Sequence, residues 1–168
     1  MAESKTQDAI ALLKEDHRAV EKLFKDFESA KGDGRKEKLS RQICLELAIH
    51  TKIEEEIFYP ACEGKIEEDL LKEAKVEHDS AKLLMAEIEG GSGQSDDFFD
   101  AKVQVLGEQI NHHVEEEEGE LFPQVRKADI DLKALGEQLA QRKQELMKEY
   151  KADGVPEPEL QTMDQVSI

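Results

Sequence analysis

Two segments of the sequence each place a histidine four residues before a glutamate and end in proline. The first is HTKIEEEIFYP, with His50 and Glu54, and the second is HVEEEEGELFP, with His113 and Glu117. Residues four positions apart lie on one face of a helix, so each pair can direct an imidazole and a carboxylate at one point. These two groups together are typical ligands of transition metals. The repeated pair therefore predicts a metal site to which two helices contribute.

Two further histidines, His17 and His78, occupy apolar helical stripes where a leucine would be expected. Each follows an acidic residue, Asp16 or Glu77, so the two halves of the chain resemble a repeat. Burying imidazoles and unpaired carboxylates in a helical bundle costs several kcal/mol for each charged group. Bound cations would remove this cost. The candidate metal ligands are therefore His17, His50, Glu54, His78, His113 and Glu117.

The donor types also bear on which metal is bound and how many ions there are. One octahedral ion could take all six groups, but ligands from four helices more naturally hold two ions with bridging carboxylates. Mixed imidazole and carboxylate ligation suits iron, and also manganese or zinc. Closed zinc sites are often built from close pairs of cysteines. Cys44 and Cys62 are isolated, so we expect packing or surface thiols.

The spacing also separates the candidate ligands from their polar neighbours. His112 lies about 100° around the helix from His113, so we expect it on the surface or behind the ligands. Five other glutamates flank the candidates, and we expect most of them to face solvent: Glu55, Glu56, Glu115, Glu116 and Glu118.

The elements that must position these side chains are helices. The chain has no tryptophan and only 4 prolines, and Ala, Leu, Glu, Lys and Gln dominate, which favours an all-α fold. Four apolar stripes with short connections predict an antiparallel up-down-up-down four-helix bundle. The predicted helices begin at a cap on Ser4 or Thr6 and run to about Ala30, then over about 35–61, 67–89, 95–127 and 132–151.

Three regions are predicted along the chain. Residues 1–130 form the bundle, residues 131–152 form an accessory C-terminal helix that packs outside the core, and residues 153–168 form a flexible tail. Within the bundle, the Gly-Ser run at residues 90–95 is expected to be the most flexible linker.

The composition limits the range of functions. A net charge of -17 argues against nucleic acid and anionic membranes as partners. No signal peptide or apolar segment of about 20 residues is visible. Two isolated thiols fit a reducing compartment. We therefore expect a cytoplasmic protein that is a monomer or a weak homo-oligomer.

The chain resembles the hemerythrin-like HHE cation-binding domain over about residues 8–127. The resemblance rests on a first-helix histidine, HTKIEEEIFYP, VEHD and HHVEEEEGELFP. It implies a carboxylate-bridged non-haem centre with two iron ions, held by the six candidate ligands. Oxygen-carrying members have a further histidine one turn after the third-helix ligand, where this chain has Lys82. We expect Lys82 to extend outward, with stabilisation of an anionic ligand as the alternative. Glu21, at the corresponding position of the first half, is expected to face solvent, with an extra ligand as the alternative.

Three functions are consistent with these patterns. The first is a di-iron protein that binds, senses or reacts with oxygen, nitric oxide or peroxide, for which the apolar stripes would supply the walls. The second is iron binding or buffering without turnover. The third is an interaction module in which metal staples the bundle and the C-terminal helix recruits a partner through Leu135, Leu139 and Leu146. Whether the protein is an enzyme stays open.

Overall fold

The computed structural model describes residues 7–91 and 96–163, and within them the fold is all-α, as predicted. Helix α1 spans Ala9–Ser29. Helix α2 spans Asp33–Ile53 and continues through a π-helical turn, Glu54–Phe58, to a last turn at Tyr59–Cys62. Helix α3 spans Glu68–Gly90. Helix α4 spans Phe99–Glu116 and continues through a π-helical turn, Glu117–Leu121, to Phe122–Lys127. Helix α5 spans Leu132–Asp153. Helices α1–α4 form the antiparallel bundle.

The first helix begins at Ala9 because Asp8 caps it. The Asp8 carboxylate accepts a hydrogen bond of 2.8 Å from the Ala11 N–H, which satisfies one of the free donors of the first turn. The predicted caps at Ser4, Thr6 and Ser95 lie outside the described residues, as does most of the predicted linker.

The apolar core is divided into two clusters, one on each side of the histidine level. One contains Ile10, Leu13, Phe58 and Phe122, and the other contains Val20, Leu47, Phe99 and Leu106. A polar layer between two apolar clusters is screened from water on both sides, so charges within it interact strongly.

Helix α5 belongs to the core, and the expectation that it packs outside is wrong. Leu139 and Leu146 are fully buried in the same apolar cluster as Ile10 and Leu13. The helix approaches so closely that a Cβ built on Gly136 would lie 2.2 Å from the Gln7 carbonyl oxygen. The weak apolar stripe did not reveal this contact, because glycine carries no side chain that marks a packing face.

Beyond α5, residues 154–163 contain no helix and lie along α2 and α3. The buried carboxylate of Asp79 on α3 accepts backbone N–H groups from Gln161, Thr162 and Met163. The Thr162 hydroxyl also donates to it, at 2.6 Å. The segment therefore has a defined seat on the bundle, while its flexibility and the boundaries at 130 and 152 stay predictions. No helix in the described ranges has the length and apolarity needed to cross a bilayer.

Candidate metal centre

The structure brings all six candidate ligands into one buried layer. They form two groups, each with two imidazoles and one carboxylate whose ligand atoms lie within 4.8 Å of one another: His17, His50 and Glu117, and then Glu54, His78 and His113. The groups adjoin, because Nε2 of His50 and Nε2 of His78 lie 3.0 and 3.3 Å from Oε1 of Glu54. Likewise, Nε2 of His17 and Nε2 of His113 lie 3.1 and 3.2 Å from the Glu117 carboxylate. Each carboxylate therefore lies close to a histidine from both groups.

A π-helical turn begins at each of the two glutamates. In α2 the Tyr59 N–H donates to the Glu54 carbonyl, and in α4 the Phe122 N–H donates to the Glu117 carbonyl. A hydrogen bond between residues i and i+5, in place of i and i+4, adds one residue to a helical turn. Glu54 and Glu117 begin these turns and point inward, and the residues that follow them, Glu55 and Glu118, contact histidines of neighbouring helices.

Each of the four histidines has its Nδ1 atom against a carboxylate from a neighbouring helix. The Nδ1–oxygen distances are 2.7 Å for His17 and Glu118, 3.0 Å for His50 and Asp16, 2.7 Å for His78 and Glu55, and 3.0 Å for His113 and Glu77. A carboxylate at Nδ1 holds the proton on that nitrogen and leaves the Nε2 lone pair free. All four Nε2 atoms point to the centre, and with the ring proton on Nδ1 each could coordinate a metal there.

The expectation that these glutamates face solvent is therefore wrong for Glu55 and Glu118. The Glu55 side chain is only 5% exposed. Glu56 does face outward, where Arg142 holds it, and Glu115 is exposed. Glu55 and Glu118 lie about 100° around the helix from Glu54 and Glu117, outside the stripe that the sequence analysis followed. The signal for the other two, Asp16 and Glu77, was their position directly before a histidine in both halves.

The central groups strongly perturb one another's protonation in the absence of metal. Burial lowers the pKa of His50, but Glu54 and Asp16 outweigh burial and raise it to about 10. Burial likewise opposes charge at His113, but Glu117 and Glu77 raise its pKa well above the usual value. Burial raises the pKa of Glu117, but His113 and His17 reverse this effect and hold it well below the usual value. Without metal, protons on the imidazoles would supply the positive charge that the carboxylates need.

Metal would also pair with several ligand atoms that make no well-directed hydrogen bond. Within the described residues these are Nε2 of His17 and of His50, both carboxylate oxygens of Glu54 and Oε1 of Glu117, although the two nitrogens lie only 3.1 and 3.0 Å from Oε1 of Glu117 and of Glu54. Unpaired buried polar atoms cost free energy, and cations would pair with all of them at once.

Tyr59 supplies one more oxygen at the centre that sequence reasoning did not identify. Its hydroxyl donates to Oε2 of Glu117 at 2.7 Å and lies 3.2 Å from Nε2 of His78. Burial and Glu117 raise the pKa of Tyr59 well above its usual value, so the hydroxyl stays protonated. It can orient Glu117 or donate a hydrogen bond to a small ligand.

We call the four carboxylates at the histidine Nδ1 atoms the outer carboxylates. Cationic side chains pair with three of them. Arg18 donates to Glu118, Lys143 of α5 donates to Asp16, and Lys82 donates to Glu55 at 2.6 Å. The expectation that Lys82 extends outward is wrong, since the residue is only 8% exposed. Its ammonium group contacts Glu55, which in turn contacts His78. The alternative from the sequence was that Lys82 stabilises an anionic ligand at the metal.

The remaining polar neighbours lie on the surface. Glu21 is 30% exposed and pairs with Arg18, as expected of a residue outside the ligand set. His112 is 65% exposed, with Nε2 3.2 Å from Glu116. Cys44 and Cys62 are buried free thiols outside the layer, which confirms the packing interpretation. Burial is the main reason that the pKa of each thiol is raised to about 12.

A small cavity lies between the four histidines and the apolar cluster that contains Val20 and Leu47. Its volume is about 20 Å³, and its walls include the four central histidines and the apolar residues Val20, Leu47, Ile110 and Val114. A space of this size holds one water-sized or diatomic molecule. The layer therefore offers both metal ligands and room for a small molecule beside them.

Comparison with known proteins fits this geometry. The family described as the hemerythrin HHE cation binding domain matches residues 8–125. The chain belongs to this family. The HHE domain accounts for the cation-binding layer on α1–α4, and its matched range ends before α5.

Two individual proteins are similar to this chain. A crystal structure of a hemerythrin HHE cation binding domain-containing protein from Mycobacterium kansasii superposes with a TM-score of 0.75 and 24% identity. The superposition covers 88% of this chain and 94% of that one, and it supports the fold. A protein named DNA nickase from Nostoc sp. (strain PCC 7120 / SAG 25.82 / UTEX 2576) is 29% identical over 120 residues. That match covers 71% of this chain but only 33% of the relative, so the chain spans about a third of that protein's length.

Proposed function

We propose that the protein holds two iron ions bridged by Glu54 and Glu117 and binds, senses or reacts with oxygen, nitric oxide or peroxide. The observation that carries the proposal is the combination of inward, unpaired donor atoms with an apolar cavity beside them. Zinc accepts similar ligands but has no redox chemistry, whereas ferrous iron can supply electrons to oxygen species. Manganese also accepts these ligands and is the less favoured alternative.

The chain's own residues would have separate tasks in this chemistry. Four histidines and two glutamates hold the ions, and the outer carboxylates fix the imidazole tautomers. The Tyr59 hydroxyl, already a donor to Glu117, can provide a hydrogen bond at the centre. The walls formed by Leu47 and Ile110 limit the entry of water, which protects a reduced centre.

The test uses protein loaded anaerobically with ferrous iron. We expect about two iron ions per chain, as two adjacent ligand groups imply. Mixing with oxygen, nitric oxide or peroxide should then change the visible absorption spectrum. Zinc-loaded protein is the matched control, because zinc fills the site without redox chemistry. An iron-loaded protein with no spectral response to any of the three molecules would reject the proposal and favour iron buffering.

The structure weakens the third hypothesis, that α5 recruits a partner through its leucines. Leu135, Leu139 and Leu146 are 6%, 0% and 1% exposed and belong to the core. They are therefore committed to intramolecular packing. A monomer or weak homo-oligomer in the cytoplasm, acting without nucleic acid or membrane, stays part of the proposal.

A further inference from the structure

A second and larger cavity lies between α2, α3 and residues 155–161. Its volume is about 430 Å³. We name it the vestibule. The segment after α5 forms its roof, and Ala48, Thr51, Met85 and Ala86 lie on the helices below. The roof is tied to α3 at two points, since Asp79 accepts the N–H groups of residues 161–163 and Lys82 donates to the Glu159 carbonyl at 2.7 Å.

Thr51 is shared by the vestibule and the small cavity at the centre. It is in the lining of both, it is 3% exposed, and its hydroxyl donates to the Ala48 carbonyl at 3.2 Å. Thr51 therefore lies between a roomy outer space and the space beside the histidines. Rotation about its single side-chain torsion is a fast motion.

A second approach to the centre, with a volume of about 740 Å³, has a bulkier side chain at its inner end. The groove between α1 and α4 reaches the small cavity at Ile110. Ile110 is a longer, branched side chain, and Phe24 packs directly on the backbone of Gly107, where an added Cβ would lie 3.2 Å from the ring. This groove therefore offers a less open route than Thr51 does.

The vestibule also carries an excess of negative charge. Two ammonium groups, of Lys52 and Lys82, lie in its lining. Both are already paired with carboxylates. Five carboxylates lie in the same lining: Glu55, Glu56, Glu89, Glu157 and Glu159. A negatively charged entrance lowers the local concentration of anions and leaves neutral molecules unaffected.

We infer that the vestibule is the entrance to the metal centre, that Thr51 is its inner gate, and that it selects small neutral molecules over small anions. This rests on the proposed function and deepens it. Oxygen, nitric oxide and hydrogen peroxide would pass, whereas azide would be slowed by charge.

The route is tested by two tryptophan plugs in full-length, ferrous-loaded protein. Ala86→Trp fills the vestibule from an exposed position, and Gln104→Trp fills the groove between α1 and α4 from a similarly exposed one. Stopped-flow mixing with nitric oxide gives the association rate. We expect Ala86→Trp to slow association by about tenfold or more and Gln104→Trp to change it by less than about twofold, because only the first plug blocks the proposed path. The reverse order would overturn the route.

The charge selection is tested with azide in the same instrument. Glu157→Lys with Glu159→Lys should raise the azide association rate by about tenfold at low salt, and the gain should shrink as salt is added. The nitric oxide rate should not change. Equal effects on both molecules, or none on azide, would overturn the selection. Failure of the unmodified protein to respond to oxygen, nitric oxide or peroxide would instead overturn the proposed function and this inference with it.

Discussion

The carboxylate of Asp16 on α1 lies 3.0 Å from Nδ1 of His50 on α2, while Asp16 in turn accepts a hydrogen bond from Lys143 on α5. The residue beside Asp16, His17, reaches the same centre with Nε2. Two consecutive residues of α1 thus have separate tasks. His17 supplies an imidazole to the centre, and Asp16 orients the imidazole of His50 on α2. The outer carboxylates are therefore as much a part of the site as the six candidate ligands.

The first prediction concerns Asp16→Asn. It removes the charge that holds the His50 proton on Nδ1, so we expect metal affinity to fall about 10–100-fold. A competition titration with a chromophoric chelator measures this affinity. The matched control is Glu15→Gln, which removes a carboxylate from the adjacent exposed position. Equal affinities for both variants and the unmodified protein would show that the outer carboxylate is dispensable.

The second prediction uses the adjacent histidines of α4. His113→Ala removes a buried inner donor, so we expect a lower metal-to-protein ratio by elemental analysis. His112→Ala changes a residue that is 65% exposed and should retain full metal content. If the two variants hold the same amount of metal, His113 is not a metal ligand.

The third prediction concerns pH. In metal-free protein His50 has its pKa raised from 6.5 to about 10 by Glu54 and Asp16, against burial. Its protonation stabilises the metal-free fold fully below 6.5, and this contribution is lost as the pH rises toward 10. Metal needs the neutral ring and therefore binds more tightly at higher pH. The difference in Tm between zinc-loaded and chelator-treated protein should widen from about pH 6.5 to about pH 8.5. A difference that stays constant or narrows contradicts the assignment.

The fourth prediction concerns the seat of α5. Gly136→Ala would bring its Cβ to 2.2 Å from the Gln7 carbonyl oxygen, so backbone must move. We expect a loss of about 2–3 kcal/mol in the free energy of unfolding by urea denaturation. Gly34→Ala is the control, because nothing lies within 4 Å of its added Cβ. A Gly136→Ala protein as stable as this control would mean that α5 does not pack as described.

The sequence was sufficient for the bundle and for bringing the six candidate ligands together, because a 3.6-residue period places His50 and Glu54 on one face. It was insufficient for residues outside those stripes. Glu55 and Glu118 lie beside the inward glutamates and contact histidines of neighbouring helices. At α5, the packing contact is Gly136, which has no hydrophobicity to count. Residues 154–163 have no period at all, and their position depends on backbone N–H groups donated to Asp79.

The carboxylate contacts on the histidines also form a closed cycle. Helix α1 supports α2 through Asp16, α2 supports α3 through Glu55, α3 supports α4 through Glu77, and α4 supports α1 through Glu118. No helix of the bundle can slide or rotate without breaking one contact that it gives and one that it receives. The four helices should consequently open to solvent exchange as a single cooperative unit, with no separately labile hairpin.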